Sequence, residues 1–119
     1  MQFIWYPKCS TCKKMKDFLD EKQITYDLRN IMEDTPTADE LEAWHLRSGL
    51  PFSRFINSSG QLYRSLDLKT KLVGMSLKDQ YKIISQDPYL IRRPLLVSDD
   101  LVLVGSKVAE WETAFNING

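Results

Sequence analysis

Cysteine and histidine are both scarce in this chain: two cysteines and one histidine among 119 residues. A zinc site closed by four side chains of one copy is therefore out of reach, because such sites use two cysteine pairs or cysteines with two histidines. Net charge is missing as well. Sixteen basic residues balance sixteen acidic ones, so nothing global draws the chain to nucleic acid or to an anionic membrane. No apolar run approaches the roughly 20 residues that span a bilayer. The opening MQFIWYPKCS has neither a charged n-region nor a cleavage site, and no signal peptide is expected. No glycine-rich phosphate loop follows a strand; NSSG at Asn57–Gly60 is too short and wrongly placed. No metal, nucleotide or flavin is called for. The expected compartment is cytoplasmic, where stable structural disulfides are rare. Length and an ordinary 43% hydrophobic content fit one domain over 1–119, with a core that needs no staples.

What cysteine there is stands in one place. YPKCSTCKK, Tyr6 to Lys14, holds both Cys9 and Cys12 beside a run of lysines. Three readings compete: half of a metal site shared with a second copy, two buried core thiols, or a dithiol that exchanges electrons. The surroundings favour the third. QFIWY (Gln2–Tyr6) is an aromatic and β-branched run with strand character, and Pro7 ends it. STCKKMKDFLDEKQ reads as a helix whose inner face is Cys12, Met15, Phe18 and Leu19. ITYDLRNI (Ile24–Ile31) reads as a second strand. Strand, helix, strand with a CxxC at the helix entrance implies parallel strands and is a redox signature.

Helical segments fill the middle of the chain, an insertion of about 35–88. Thr37 with Glu40 makes a capping box for a helix carrying Leu41, Trp44 and Leu46, stopped by Gly49 and Pro51. Ser76 with Asp79 opens another. PLLV (Pro94–Val97) and LVLV (Leu101–Val104), joined by SDD, then read as a hairpin broken by Gly105. KVAEWETAF closes the pattern as a helix with Val108, Trp111 and Phe115 inward. The order β-α-β, insertion, β-β-α predicts an α/β fold of thioredoxin-like (glutaredoxin-like) type: a four-stranded mixed sheet with flanking helices.

A cysteine just before the first helical turn faces unpaired backbone N–H groups and the positive end of the helix dipole. Both favour thiolate, so Cys9 is expected below the free thiol value of about 8.5, with Lys8 and Lys13 adding to the effect if they fold back. Cys12, one turn further in, is the less exposed partner. That asymmetry makes Cys9 an attacking thiol and Cys12 a resolving one, close enough to form a redox-active disulfide. LIRRPLLV is the second constellation. Pro94 at the start of a strand needs no special explanation; the functional alternative is a cis Arg93–Pro94 bond turned toward Cys9. Arg93 then offers a guanidinium to an anionic substrate or to the thiolate, with Arg92 pointing elsewhere. His45 is expected to be a partly exposed helix residue without a role.

YPKCSTCKK, LIRRPLLV and VLVG followed by a closing helix, in this order, resemble the arsenate reductase-like (ArsC) family over essentially the whole chain. That family joins glutaredoxin-linked arsenate reductases to the redox-sensing Spx/MgsR regulators on one thioredoxin-like fold. The resemblance implies that Cys9 is the catalytic cysteine and Arg93 the arginine before a cis proline, Pro94. Lys8, Ser10, Thr11 and Pro94 are then the substrate-binding surroundings. Two further oxyanion-holding arginines of the arsenate reductases correspond here to Asn57 and Gly105, which implies weak arsenate binding. The reductase branch implies an external thiol reductant: glutathione, glutaredoxin or thioredoxin. The regulator branch implies contact with the RNA polymerase α subunit near Gly49, with Arg92 or Arg93 sensing a Cys9–Cys12 disulfide. Neither branch implies direct nucleic-acid or membrane binding.

Overall fold

A computed structural model describes residues 1–116. Four strands form one mixed sheet in the order β2-β1-β3-β4, where β1 is Gln2–Trp5, β2 Asp27–Asn30, β3 Leu95–Val97 and β4 Val102–Val104. β1 runs parallel to β2 across the crossover helix α1 (Ser10–Glu21) and antiparallel to β3, which pairs antiparallel with β4. This is the expected α/β thioredoxin-like sheet. Successive strand residues point to opposite faces, and the core divides accordingly. Phe3 and Leu96 pack on one face with Met15, Phe18 and Leu19 of α1 and with Trp111 of the last helix, α6 (Val108–Ala114). Ile4, Leu95, Val97 and Val104 pack on the other face, beneath the insertion.

The insertion comprises α2 (Ala38–Ser48), α3 (Gln61–Ser65), α4 (Leu68–Lys71) and α5 (Leu77–Ile84), with single 3₁₀ turns at Phe52–Phe55 and Pro88–Leu90. Its first helix starts as the sequence predicts. The Glu40 N–H donates to Thr37 Oγ1 at 3.1 Å, and the Thr37 N–H donates to Glu40 Oε1 at 3.0 Å. Gly49 ends α2 at φ +69°, a conformation that suits a residue without Cβ. Leu41 and Trp44 are buried, but Leu46 is 68% exposed. Two positions beyond Trp44 is about 200° around the helix, so Leu46 faces solvent rather than the core.

The second strand is shorter than its sequence pattern. Gln23 takes φ +58° at the end of α1, and the Ile24 N–H donates back to the Leu19 carbonyl at 2.9 Å. Such a cap absorbs the residues after the helix, so pairing with β1 begins only at Asp27. Arg29 of β2 then reaches α2: its Nη1 and Nη2 donate to Glu40 Oε2 and Oε1 at 2.8 and 2.9 Å. An isolated antiparallel bridge between Ile56 and Ile91 ties the insertion to the segment that leads into β3. No helix among the described residues is long and apolar enough to cross a membrane.

Candidate active site

β1 delivers the chain to the end of the sheet, where a tight turn reverses it into α1. The Cys9 N–H donates to the Tyr6 carbonyl at 2.9 Å, closing that turn. Cys9 is the residue flanking the first turn of α1, and its own carbonyl accepts from the Lys13 N–H at 3.1 Å. Its Sγ lies 3.1 Å from Thr11 Oγ1. Partial burial raises the Cys9 pKa, but the Thr11 hydroxyl, the Cys12 thiol and backbone, and the Arg93 charge outweigh it, so the net direction is down. The thiolate is favoured, as the helix-entrance argument requires. The cation among these causes is Arg93, the smallest of them; Lys8 and Lys13, expected to add to the effect only if they fold back, are not among them.

Cys12 lies one turn along α1 with no exposed surface. Burial, together with the neighbouring Cys9 sulfur, pushes its thiol up to about 12 against the lowering pull of the Tyr6 backbone and Arg93. Both sulfurs are free thiols. The pair is thus strongly unequal: one thiol poised to ionise, the other holding its proton.

β3 brings the second half of the site. Ile4 pairs with Leu95, so the start of β3 lies at the same end of the sheet as the end of β1. The Arg93–Pro94 peptide is cis. Arg93 lies beside two aromatic rings that meet each other edge-on, its guanidinium carbon 5.3 Å from the Tyr6 centroid and 5.7 Å from that of Tyr89. Its Nε and Nη1 are buried without a hydrogen-bond partner, as is Nε of Arg92. A guanidinium held by aromatic rings keeps its full charge, so Arg93 remains a cation at this end of the sheet.

A cavity of about 330 Å³ joins these parts, lined by Cys9, Thr11, Asn57, Ser59, Arg92 and Arg93. Cys9, Thr11 and Arg93 therefore meet as the sequence suggests. Arg92 corrects one expectation: it lines the same cavity rather than pointing away. The reason lies in the backbone, since the Arg92 N–H donates to the Phe55 carbonyl at 2.9 Å. Gly105 lies opposite, where a Cβ would stand 3.7 Å from Arg92 Cδ, an ordinary contact. Lys8, Ser10 and Pro94 are not in the lining among the described residues; Lys8 and Ser10 are exposed at the turn, and Pro94 is buried behind the arginine.

A larger cavity of about 450 Å³ adjoins the first and shares Asn57 and Arg93 with it. Asn57 is fixed there by two bonds to one neighbouring segment: its N–H donates to the Leu90 carbonyl at 2.9 Å and its Nδ2 to the Tyr89 carbonyl at 3.0 Å. Ser59, Tyr6 and Tyr89 are contributors that sequence reasoning missed. The only signal for the tyrosines is their place in YPKC and YLIRRP, beside the cysteine and the arginines. His45 belongs elsewhere. It is half-buried on α2, 2.6 Å from Tyr81 Oη and packed against Phe52 and Phe55. Among the described residues no group of three or more His, Cys, Asp or Glu side chains is placed to hold a metal ion.

Known proteins share this arrangement. The chain is 41% identical over 112 residues to the uncharacterized protein YusI of Bacillus subtilis, covering 94% of this chain and 95% of the other. Regulatory protein MgsR of Bacillus subtilis is 26% identical, over 92% and 86% of the two chains. Among solved structures, an ArsC family related protein of Bacteroides fragilis superposes with a TM-score of 0.89 at 45% identity, covering 94% of each chain. A protein of Streptococcus mutans described as a possible arsenate reductase gives 0.87 at 39% identity, over 96% and 97%. The match to the ArsC family itself runs from residue 4 to residue 114, through both cysteines, the insertion and the arginine pair, and the chain belongs to that family.

Proposed function

We propose that the protein is a thiol–disulfide oxidoreductase of the arsenate reductase-like type, with Cys9 as nucleophile and Cys12 as resolving thiol. The observation that carries this reading is the placement of the two thiols at the entrance of α1. Cys9 lines the cavity with Thr11 and Arg93, while Cys12 is fully buried one turn further in. Their thiols shift in opposite directions, down for Cys9 and up to about 12 for Cys12. The Cys9 thiolate attacks one sulfur of a substrate disulfide. That S–S bond breaks, one thiolate leaves, and a mixed disulfide with Cys9 forms. Cys12 then attacks the Cys9 sulfur, its proton passing to the second thiolate as that group is displaced, and the Cys9–Cys12 bond closes. Two electrons pass from the dithiol to the substrate, and an external thiol (glutathione, glutaredoxin or thioredoxin) returns them.

The Cys12 environment orders these steps. Part of what raises its pKa is the neighbouring Cys9 sulfur. Once Cys9 is capped in a mixed disulfide, its negative charge is gone and that part of the barrier to ionisation disappears. Arg93, with Arg92 beside it, holds an anionic group of the substrate or steadies the departing thiolate. Asn57 and Gly105 stand where arsenate reductases carry arginines, so arsenate is a poor substrate in this reading.

The test is turnover of a small disulfide with glutathione and glutaredoxin. Cys9→Ser abolishes it, and Cys12→Ser accumulates a mixed disulfide detectable by intact mass. Failure of the wild-type protein to exchange with any disulfide refutes the reading. A second reading draws on the likeness to MgsR: a redox-sensing regulator bound by the RNA polymerase α subunit near the exposed Gly49, whose state is set by the same dithiol. Capture of that subunit by the oxidised but not the reduced protein, without turnover, selects it.

A further inference from the structure

The cavity beside the thiol is twofold, and an inorganic oxyanion needs only the first part. A tetrahedral oxyanion occupies a few water volumes of about 30 Å³ each, whereas the adjoining space of about 450 Å³ is of the size that takes organic ligands. Its walls fit such a ligand. Leu62 and the Tyr89 ring are apolar, Ser65 and Gln61 supply polar edges, and Arg93 lines both spaces and so stands at their junction. Tyr89 is 46% exposed despite its aromatic ring.

The boundary between the two spaces is set by residues common to both. Asn57 lines both, and its amide is turned onto the Tyr89 carbonyl. Gly60 permits that position: a Cβ there would stand 2.7 Å from Asn57 Nδ2. A longer side chain at 57 would fill the junction.

We infer that this second space seats one arm of an organic disulfide, an apolar body bearing a carboxylate that pairs with Arg93, while the sulfur–sulfur bond lies over Cys9 in the first. The inference rests on the thiol–disulfide exchange reading and names its substrate class. The chemistry is unchanged: the dithiol gives two electrons, the substrate disulfide becomes two thiols, and the arm in the groove leaves as one of them. Substrates with such an arm gain binding that a small neutral disulfide cannot.

Two disulfides separate this inference from the reading beneath it: hydroxyethyl disulfide, small and neutral, and dithiobis(nitrobenzoate), aromatic and carboxylated. Each is assayed with the wild-type protein and with Leu62→Glu and Ser65→Trp, alongside thermal unfolding to confirm folding. The expected result is a fall of about tenfold or more in the ratio of kcat/KM for the carboxylated over the neutral disulfide, carried by KM, in both variants. A ratio unchanged in both, or a parallel loss for both substrates, overturns the groove assignment while leaving disulfide exchange standing. Wild-type protein that turns over neither disulfide removes the exchange reading, and the groove assignment goes with it.

Discussion

On one face of the sheet, Phe3, Leu96 and the inner residues of α1 close around Trp111. On the other, Ile4, Leu95 and Val97 meet a wider core drawn from the insertion, including Leu41, Phe55, Tyr81 and Ile84. The two faces supply different halves of the site. The first holds α1, and with it Cys9 and Cys12; the second holds the 57–60 loop and the segment carrying Arg92. The contrast teaches that thiol reactivity and cavity shape are set by separate packing units meeting at one end of the sheet, so each can be disturbed without the other.

Trp111→Ala should break the comparison most severely. Trp111 is fully buried and meets Phe3 and Phe18 edge-on at centroid distances of 6.2 and 6.3 Å. Emptying so large a site costs about 3–5 kcal/mol, read as a lower urea midpoint. Trp111→Phe should cost less, because it also removes an indole N–H that is buried without a partner. Equal losses in the two variants would show that ring volume does not govern this core.

Arg93→Met probes the other half of the site. Losing one charge-assisted contact of about 1.5–3 kcal/mol should slow exchange with a carboxylated disulfide by roughly 10- to 100-fold. Iodoacetamide labelling of Cys9 should also move to higher pH, since Arg93 is one of the groups that lower its pKa. Arg92→Met should leave that labelling profile closer to wild type. A profile that stays put in Arg93→Met would remove the arginine from the thiolate's support.

Glu40→Gln sharpens the contrast at its weakest point, the joint between β2 and α2. Arg29 holds the Glu40 carboxyl below the usual range, reinforced by the Thr37 backbone against partial burial. A depressed carboxyl pKa stabilises the fold above the unfolded value of about 4.3 and loses that contribution as pH falls through the folded one. The variant should therefore be less stable by about 1 kcal/mol at pH 7, with the gap to wild type closing below about pH 4. A gap that persists at pH 3 would trace the loss to something other than the ion pair.

The α1 face was legible because its information is local. Cys12, Met15, Phe18 and Leu19 recur at helical spacing, and the structure buries all four. The Thr37–Glu40 box is local too, and it forms. Boundaries set by backbone exchange were not legible: nothing in EKQITYD announces that Ile24 will donate to Leu19 instead of pairing in the sheet. The site was half legible. Cys9, Thr11 and Arg93 carry their chemistry in their names, but Arg92 was misplaced because its direction depends on a backbone bond to Phe55, remote in sequence. Tyr6 escaped notice for a similar reason, since its ring meets Arg93 only when two distant segments come together. Tyr89, four residues before Arg93, reaches it only through the turn of the segment between them.

The seat of Arg93 against these two rings has a consequence beyond contact. Aromatic faces hold a cation without cancelling it, whereas a carboxylate partner would have turned the pair into a short-range dipole. A chain with formal net charge of zero therefore keeps a positive field at the mouth of its thiol cavity. Outside the cavity, salt at 0.15 M damps that field over about 8 Å, so the rate of encounter with an anion should depend on ionic strength. Inside, where Arg93 Nε and Nη1 are shut away from water, screening has less hold. Dilute and concentrated salt should thus differ in how fast an anion arrives far more than in how firmly it is held once it has.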